Sequence, residues 1–369
     1  MTIHFPQQIL FPQKTLCIQG GALEIAQEVS EFGQRGIIIH GRSLENNGNK
    51  EKIVERFPPS MRIECVCRDV GEPTLDEISK VINITKAIDA EWVVGIGGGS
   101  VIDLAKAVAG LYNAKENPVF YQEGGKLENQ GIPFIAVPTT AGTGAEATPN
   151  AVIINHQKKV KRSIRDVSFL AKKVILDVDL LKGLGTLFMS YAAMDAYVQG
   201  YESYISRHAT WFSEVFALKA IELINDNIIS AYQTASQESL SALLVGSYCA
   251  GIALSSSRLG VIHGIAHPLG VLYNVAHGLV CAACFIPSIN LNKKAIEKKY
   301  ERMSRLVGMD FVERITSILD TLNIISPFKE RPLQYKEKII HETLNSGSTQ
   351  ANPKQITSED VGALLEQLF

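Results

Sequence analysis

Three of the eight histidines lie within one short stretch of the chain, residues 260–278. His263 and His267 are four residues apart, so in a helix they lie on one face. Pro268 and the glycine two residues later are expected to end that helix, and His277 follows after a turn. Imidazole binds metal ions near neutral pH and also carries protons. A single histidine is more often a cap or a satisfied core residue, but three in an apolar setting favour a functional site.

Two glycine-rich segments are typical of loops that bind nucleotide phosphates. The first, residues 95–103, follows an apolar run and opens a helical pattern, so its amides can approach a diphosphate at a helix N-terminus. Its glycines are not spaced as in the common dinucleotide fingerprint, and a tight turn is the alternative interpretation. The second, residues 138–148, adds hydroxyl groups after the next apolar run. Loops after two strands match the place where open α/β sheets bind ligands.

The elements that must position these residues change in character along the chain. In the first half, apolar runs typical of strands buried on both faces alternate with helical patterns, which predicts an α/β domain with a parallel sheet and right-handed crossovers. The predicted strands are residues 36–40, 63–67, 92–96 and 134–137, and the predicted helices between them are residues 75–88 and 101–111.

Helical periodicity predominates from about residue 185. We therefore predict a dinucleotide-binding α/β domain at residues 1–180, followed by an all-helical domain at residues 181–369. Thr357 or Ser358 is the expected N-cap of a final helix. The more polar segment 326–350 gives no clear pattern. Other predicted helices are residues 206–229, 239–254 and 294–306.

Composition restricts the class of protein. A chain of 369 residues can form two cores, and a net charge of −2 argues against an electrostatic nucleic-acid or membrane partner. The short basic run at residues 158–162 is expected to be a solvated hairpin or loop. The N-terminus lacks a signal-peptide pattern, and we expect no bilayer-spanning segment. Cys281 and Cys284 have the spacing of a redox or metal pair, but buried reduced thiols are the favoured interpretation.

Taken together, the motifs resemble those of the iron-containing (group III) alcohol dehydrogenase family, whose fold also appears in glycerol dehydrogenase and dehydroquinate synthase. The resemblance implies a Rossmann-like nucleotide-binding domain, an all-α metal and substrate domain, and hydride transfer in the cleft between them. It covers nearly the whole chain in the expected order. The matching residues are Gly97-Gly98-Gly99-Ser100 with Asp103 and Lys106, then 138–148, Met194-Asp195-Ala196, 259–278 and Asn352-Pro353.

The resemblance also implies a metal ion, held by an aspartate, a histidine four residues later and two further histidines. Asp195, His263 and His277 match, but Gln199 stands where the family has the second ligand. Three outcomes are open: three protein ligands, Gln199 as a weak fourth ligand, or no metal, as in the maleylacetate reductase branch. We favour a retained Fe²⁺ or Zn²⁺. His267 matches a family histidine near the reacting centre and is the predicted catalytic residue, relaying a proton or orienting the substrate oxygen.

The cofactor prediction is NADP(H) in preference to NAD(H). Many NAD-using members carry an aspartate after the second strand, whereas this chain has Gly41, Arg42 and Ser43, and the last two can bind a 2′-phosphate. The other predicted cofactor contacts come from the two loops and from a lysine that the resemblance places near the cofactor. They are Gly97, Gly98, Gly99, Ser100, Asp103, Thr139, Thr140, Thr143 and Lys161.

We therefore predict an NAD(P)H-dependent alcohol dehydrogenase or aldehyde reductase for a small aldehyde or alcohol. Arg258, with Arg162 or Arg165, would suit an anionic aldehyde, although surface arginines with ordinary partners are the alternative. Lyase chemistry of the dehydroquinate synthase kind and a non-catalytic relative are the competing functions. A cytoplasmic location and a homo-oligomer, a dimer as often in the family, are also expected.

Overall fold

The computed structural model describes Pro6, residues 8–158 and residues 160–369. These residues form two compact units. The α/β unit consists of Leu10–Thr140 and Ala145–Lys182, and the helical unit contains Gly183–Phe369 together with the short segment Ala141–Gly144.

The strands of the α/β unit form a parallel sheet and a separate antiparallel hairpin. The four predicted strands are confirmed. The strands are β1 (Lys14–Cys17), β2 (Arg35–Gly41), β3 (Arg62–Arg68), β4 (Trp92–Gly97), β5 (Phe134–Pro138), β6 (Asn150–Asn155), β7 (Val160–Arg165) and β8 (Lys173–Leu176).

The parallel sheet has the order β1-β8-β5-β4-β2-β3. In its register His40 of β2 lies beside Ile96 of β4, and Gly97 of β4 lies beside Pro138 of β5. The carboxyl ends of three adjacent strands therefore meet at one edge of the sheet. The predicted cofactor segments after Gly41, Gly97 and Pro138 all begin at this edge.

The short helices of this unit cross over between the strands. Residues predicted as helices, 75–88 and 101–111, are confirmed as helical, with small differences at the ends. The helices are α1 (Ile25–Val29), α2 (Arg42–Asn46), α3 (Asn49–Val54), α4 (Leu75–Ala87), α5 (Gly99–Leu111) and α6 (Pro118–Gln122).

The basic run lies on the hairpin of β6 and β7, as predicted. Lys158 is in its turn, Lys161 and Arg162 are on β7, and Lys159 lies outside the described residues. Lys161 Nζ is 2.7 Å from Oε1 of Glu72, so this charge is paired in the structure.

The helical unit begins with a long helix, Thr186–Ile205, which precedes the predicted helix at residues 206–229. A helix was predicted from residue 206, but the chain leaves the first helix at Ile205 and starts the next at Trp211, where Thr210 caps it through Ser213. The helices are α7 (Thr186–Ile205), α8 (Trp211–Thr234), α9 (Gln237–Ser257), α10 (Val261–Tyr273), α11 (His277–Asn292), α12 (Glu297–Val307), α13 (Phe311–Thr321), α14 (Lys336–Asn345) and α15 (Ser358–Leu368).

The expected helix end at Pro268 is wrong. Helix α10 continues through this proline to Tyr273 and ends where Asn274 adopts the left-handed conformation, with φ of 51°. A proline inside a helix removes one backbone hydrogen bond, at a cost of about 3 kcal/mol. Complete burial of Ile262, Ile265 and Leu269 on this helix offsets that cost.

Aromatic side chains fix α7 against α11 and α13. Tyr197 and Tyr201 of α7 pack edge-on against Phe285 of α11, and Tyr201 stacks on Phe311 of α13. All four rings are fully buried. Since Phe285 is on the helix that starts at His277, this packing fixes the distance between the residues of α7 and those of α11.

One described helix, α9, is long and apolar enough to span a bilayer by length and composition, contrary to the expectation of no such segment. In the structure it packs against α7 and α8, and 61% of its most apolar window is buried within the protein. A central core helix accounts for this composition.

Candidate functional site

Helix α7 places three buried polar side chains on one face. Asp195, Gln199 and Glu202 follow one another at intervals of four and three residues, which brings successive side chains above one another. They are at most 4% exposed, although the rest of this part of the helix is almost wholly apolar. Buried polar groups need partners, so this face must meet donors or a cation.

Glu202 receives the N-terminus of α10. Its Oε1 accepts a hydrogen bond from the backbone N–H of Ile262 at 2.6 Å, and its Oε2 accepts one from that of His263 at 3.3 Å. A Cβ on Gly260 would lie 2.7 Å from Oε1, so only glycine allows this approach. A carboxylate at a helix N-terminus is also favoured by the helix dipole. Glu202 thereby determines where the first turn of α10 lies.

The imidazole of His263 lies between two carboxylates. Its Nδ1 is 2.7 Å from Glu202 Oε2, and its Nε2 is 3.2 Å from Asp195 Oδ1. Burial by itself lowers the pKa of this ring, but the hydrogen bonds to Asp195 and Glu202 raise its pKa to about 9. Because Glu202 occupies Nδ1, the other ring nitrogen, Nε2, faces Asp195. A metal ion bound there would take the place of the proton on Nε2.

Helix α11 brings two further donors to Asp195. His277 Nε2 is 3.6 Å from Asp195 Oδ1, and Cys281 Sγ, one turn further along α11, is 3.6 Å from the same histidine nitrogen. The four donor atoms of Asp195, His263, His277 and Cys281 all lie within 4.8 Å of one another. Burial tends to raise the pKa of Asp195, yet His277, His263 and Gln199 hold it below its ordinary value.

These residues fit a divalent transition metal. Zinc bound by nitrogen, oxygen and sulfur at about 2.0 to 2.3 Å in a tetrahedron separates its donors by about 3.3 to 3.7 Å. The measured separations of 3.2 and 3.6 Å therefore need only small adjustments. A cluster of carboxylate, imidazole and thiol is also the usual chemistry of such sites.

Gln199 lies beside the site through its contact with Asp195. It hydrogen-bonds to the Asp195 carboxylate, and this contact helps to lower the pKa of Asp195. Its Oε1 is buried and has no hydrogen-bond partner among the described residues. The amide thus supports Asp195 and retains an unsatisfied acceptor beside it.

His267 occupies a more open position than His263. It lies one turn later on α10 and its ring stacks on that of His277, with centroids 5.3 Å apart and an interplanar angle of 20°. It is exposed, whereas His263 is buried. The structure therefore brings the three sequence-predicted histidines together, with His267 at the accessible side of the cluster.

Two residues of this cluster were missed by the sequence analysis. Glu202 could have been found as the third polar residue at helical spacing in an apolar helix, after Asp195 and Gln199. Cys281 is buried, as expected for a reduced thiol. Its position four residues after His277 is the signal that it lies on the same helix face as that predicted ligand. Burial raises the pKa of its thiol well above the ordinary range.

The predicted phosphate loop follows β4 directly. Helix α5 starts at Gly99, and a Cβ on Gly97 would lie 2.6 Å from that of Val101, so glycine is needed for the helix to approach the strand. The Thr139 N–H bonds to Gly97 O at 3.0 Å, which keeps the second loop beside the first. The first turn of α5 and the loop residues Thr139 and Thr140 therefore begin side by side at the sheet edge.

Asp103 and the neighbouring Lys106 are buried inside the α/β unit. Asp103 Oδ2 accepts from the N–H of Val152 at 3.0 Å, and Lys106 Nζ donates to the carbonyls of Ala145 and Asn150 at 2.6 and 2.8 Å. These contacts tie α5 to the segment after the second loop. A direct contact of Asp103 with the cofactor remains a prediction.

The segment predicted to recognise the adenosine ribose begins at Gly41, the N-cap of α2. Arg42 and Ser43 are exposed there. The guanidinium of Arg42 pairs with Asp69, which follows the adjacent strand β3, with Nε 2.6 Å from Oδ1. The sequence showed no acid before Glu45 at this position and did not point to Asp69, because Asp69 follows a strand that is distant in the chain. Thr143, predicted from the second loop, belongs to the helical unit and is exposed.

Comparison with known proteins identifies the family of the chain. Residues 12–178 match the family model described as iron-containing alcohol dehydrogenase, and residues 189–369 match the model of the C-terminal domain of the same family. Lactaldehyde reductase of Escherichia coli (strain K12) is 26% identical over 367 residues, covering 93% of this chain and 94% of that protein. Sulfoacetaldehyde reductase of Bilophila wadsworthia (strain 3_1_6) is 28% identical over 305 residues, covering 82% and 79%.

Among solved structures, sulfoacetaldehyde reductase from Bifidobacterium kashiwanohense in complex with NAD⁺ has the same fold. Its TM-score is 0.92 at 21% sequence identity, and the match covers 99% of this chain and 99% of that one. At this identity the likeness shows the fold alone.

Proposed function

The chain belongs to the iron-containing alcohol dehydrogenase family, whose members are oxidoreductases acting on CH–OH groups, and from this premise we propose a specific reaction. The protein reduces a small aldehyde with NADP(H), and oxidises the corresponding alcohol, at a divalent metal. The convergence of Asp195 Oδ1 with Nε2 of His263 and His277 carries this proposal. Residues 1–180 serve the nucleotide and residues 181–369 the metal and substrate.

Asp195, His263 and His277 hold the metal, with Gln199 beside them. When bound, the ion supplies Lewis-acid polarisation of the substrate carbonyl as hydride arrives from the nicotinamide. Glu202 keeps the Nδ1 side of His263 occupied and so presents Nε2 to the ion. His267, accessible and stacked on His277, exchanges the proton at the substrate oxygen.

The nucleotide binds at the carboxyl edge of the parallel sheet. The amides of Gly98, Gly99 and Ser100 at the start of α5 bind the diphosphate, because a helix N-terminus favours negative charge. The hydroxyls of Thr139 and Thr140 follow the adjacent strand and supply ribose or phosphate contacts. Asp103, Thr143 and Lys161 remain proposed contacts of the same cofactor.

Preference for NADP(H) over NAD(H) rests on Arg42 and Ser43. The side chains of Arg42 and Asp69 are both highly exposed, and exposed ion pairs are weak. A phosphate dianion can therefore compete with Asp69 for the guanidinium of Arg42. Arg42→Ala should raise KM for NADPH about tenfold or more and leave KM for NADH nearly unchanged. A wild-type KM much lower for NADH than for NADPH would refute the preference.

The substrate class is proposed as a small aldehyde, with an anionic group as the finer hypothesis. Arg258, Arg162 and Arg165 are exposed cations, and one relative reduces sulfoacetaldehyde, which supports an anionic substrate. A panel of aldehydes of equal length, neutral and anionic, tests this point through kcat/KM. Equal values in the wild type and in Arg258→Ala would remove the support for charge recognition.

A metal-independent reductase of the maleylacetate reductase type is the second candidate, because Gln199 stands at a position where the family has a histidine ligand. An assay of NADPH oxidation, first after chelation and then after addition of Zn²⁺ or Fe²⁺, distinguishes the metal-dependent reductase from the metal-independent one. If the enzyme depends on the metal, its kcat falls at least about 100-fold on chelation and recovers when the ion is added. Full activity in chelator, with no metal in the purified protein, supports the second candidate. A non-catalytic relative would show no turnover in either condition.

Assembly and location complete the proposal. We expect a homodimer, to be measured by light scattering of the purified protein, and a cytoplasmic location, to be measured by cell fractionation.

A further inference from the structure

The thiol of Cys281 is close to the metal ligands although no family pattern assigns it a role. Cys281 is fully buried and lies one helical turn after His277 on α11. Its Sγ is 3.6 Å from His277 Nε2, and it shares the 4.8 Å cluster with the Asp195 oxygen and the His263 nitrogen. Cys284, on the same helix and also buried, is outside this cluster.

We propose that Cys281 Sγ is the fourth protein ligand of the metal, in place of the side chain at position 199. The inference rests on the metal site of the proposed function. On binding, the thiol proton leaves to solvent and a metal–sulfur bond forms, with no change in oxidation state. The family pattern takes two ligands four residues apart on α7, at positions 195 and 199. Here the two residues four apart that both ligate are His277 and Cys281 on α11.

The state of Gln199 supports this exchange. Its amide is already bonded to the Asp195 carboxylate, while its buried Oε1 has no partner among the described residues. An amide oxygen is a poor ligand for a transition metal, whereas a thiolate is a strong one.

Charge and chemistry then predict which ion is bound. The Asp195 carboxylate and a Cys281 thiolate together balance a divalent cation, which suits a site whose donors are nearly all buried. Thiolate is a soft ligand and favours zinc over ferrous iron relative to a set of one carboxylate and three imidazoles. We therefore infer a zinc enzyme within a family that is named for iron.

Cobalt substitution of the full-length protein tests the ligand directly. A Co²⁺–thiolate bond gives a charge-transfer band in the near ultraviolet, and we expect this band in the wild type and in Cys284→Ser but not in Cys281→Ser. Zinc affinity, measured by competition with a chromophoric chelator, should fall about tenfold or more in Cys281→Ser and change less than about twofold in Cys284→Ser. Near-ultraviolet circular dichroism checks that each variant is folded.

A double variant tests the exchange of ligands. Gln199→His combined with Cys281→Ser restores the family arrangement, so zinc affinity should recover without the thiolate band. A band that persists in Cys281→Ser, or bound Co²⁺ in the wild type with no such band, overturns the assignment of Cys281 while the metal site stands. No saturable Zn²⁺ or Co²⁺ binding in the wild type, or binding unchanged in Asp195→Asn, overturns both this inference and the proposed metal-dependent function.

Discussion

Glu202 Oε2 and His263 Nδ1 are 2.7 Å apart and both side chains are buried, although the residues are on different helices. The same carboxylate also accepts backbone hydrogen bonds from the first turn of α10. One side chain thus determines both the position of a helix and the orientation of the imidazole on it. Such carboxylate–histidine pairs tune the ligands of many metal sites.

Replacement of this carboxylate tests that relationship. In Glu202→Gln the amide cannot keep the charge-assisted bond to Nδ1, so zinc affinity should fall about 10- to 100-fold. The thermal midpoint of the metal-free protein should also decrease, because the amide offers one acceptor oxygen where the carboxylate offers two, so the N–H groups of α10 and Nδ1 of His263 cannot all be bonded. Glu366→Gln, at an exposed position, is the matched control. Unchanged affinity in Glu202→Gln would show that His263 is oriented by packing alone.

Lys106 is predicted to stabilise the nucleotide-binding edge rather than to contact the cofactor. Its ammonium is completely buried and donates to Ala145 O, Thr148 Oγ1 and Asn150 O. Lys106→Met leaves these acceptors unsatisfied and should lower the free energy of unfolding by about 3 kcal/mol. Urea unfolding measures the change, with the exposed Lys115→Met as control. A loss below about 1 kcal/mol would contradict this role.

Glu146 gives a pH dependence of stability with a defined sign. Burial raises the pKa of its carboxyl from 4.5 to about 7, and its Oε1 has no hydrogen-bond partner among the described residues. The folded state therefore holds this proton more tightly than the unfolded chain, so the contribution of this group to stability falls as pH rises from about 4.5 to about 7.

Glu146→Gln removes the loss of stability that accompanies ionisation of this carboxyl as pH rises. The variant should be about 2 to 3 kcal/mol more stable than the wild type at pH 8 and nearly equal to it at pH 4.5. Denaturant unfolding at a series of pH values measures the difference, and Glu55→Gln at an exposed position should give no such trend. A constant difference across the series would mean that Glu146 does not titrate in this range.

Arg258 combines an unusual backbone with an exposed charge. Its φ of 62° and ψ of −172° lie in a region that only glycine adopts easily. Arg258→Gly should therefore stabilise the protein by about 1 kcal/mol, whereas Arg258→Ala should not. If the charge recognises an anionic aldehyde, both variants lose kcat/KM for that substrate equally and keep it for a neutral one. A loss confined to Arg258→Ala would assign the effect to the backbone.

The sequence by itself determined the local elements of the α/β unit. Strands such as Trp92–Gly97 and the glycine turn that follows are specified by residues adjacent in the chain, so their patterns were sufficient. The proposed metal ligands Asp195, His263 and His277 were predicted through a resemblance to a family, because no local period connects α7 with α10 and α11. Polar spacing on α7 would have added Glu202.

The tertiary structure decided what these side chains meet. Whether Cys281 is a plain core thiol or a neighbour of Asp195 depends on the packing of Tyr197 against Phe285, which brings two helices together across a long interval of sequence. The same holds for Pro268, which remains inside a helix since burial of the surrounding apolar face exceeds its local cost. Local patterns record the preferences of one segment, whereas a site formed by three helices depends on distances that only their packing sets.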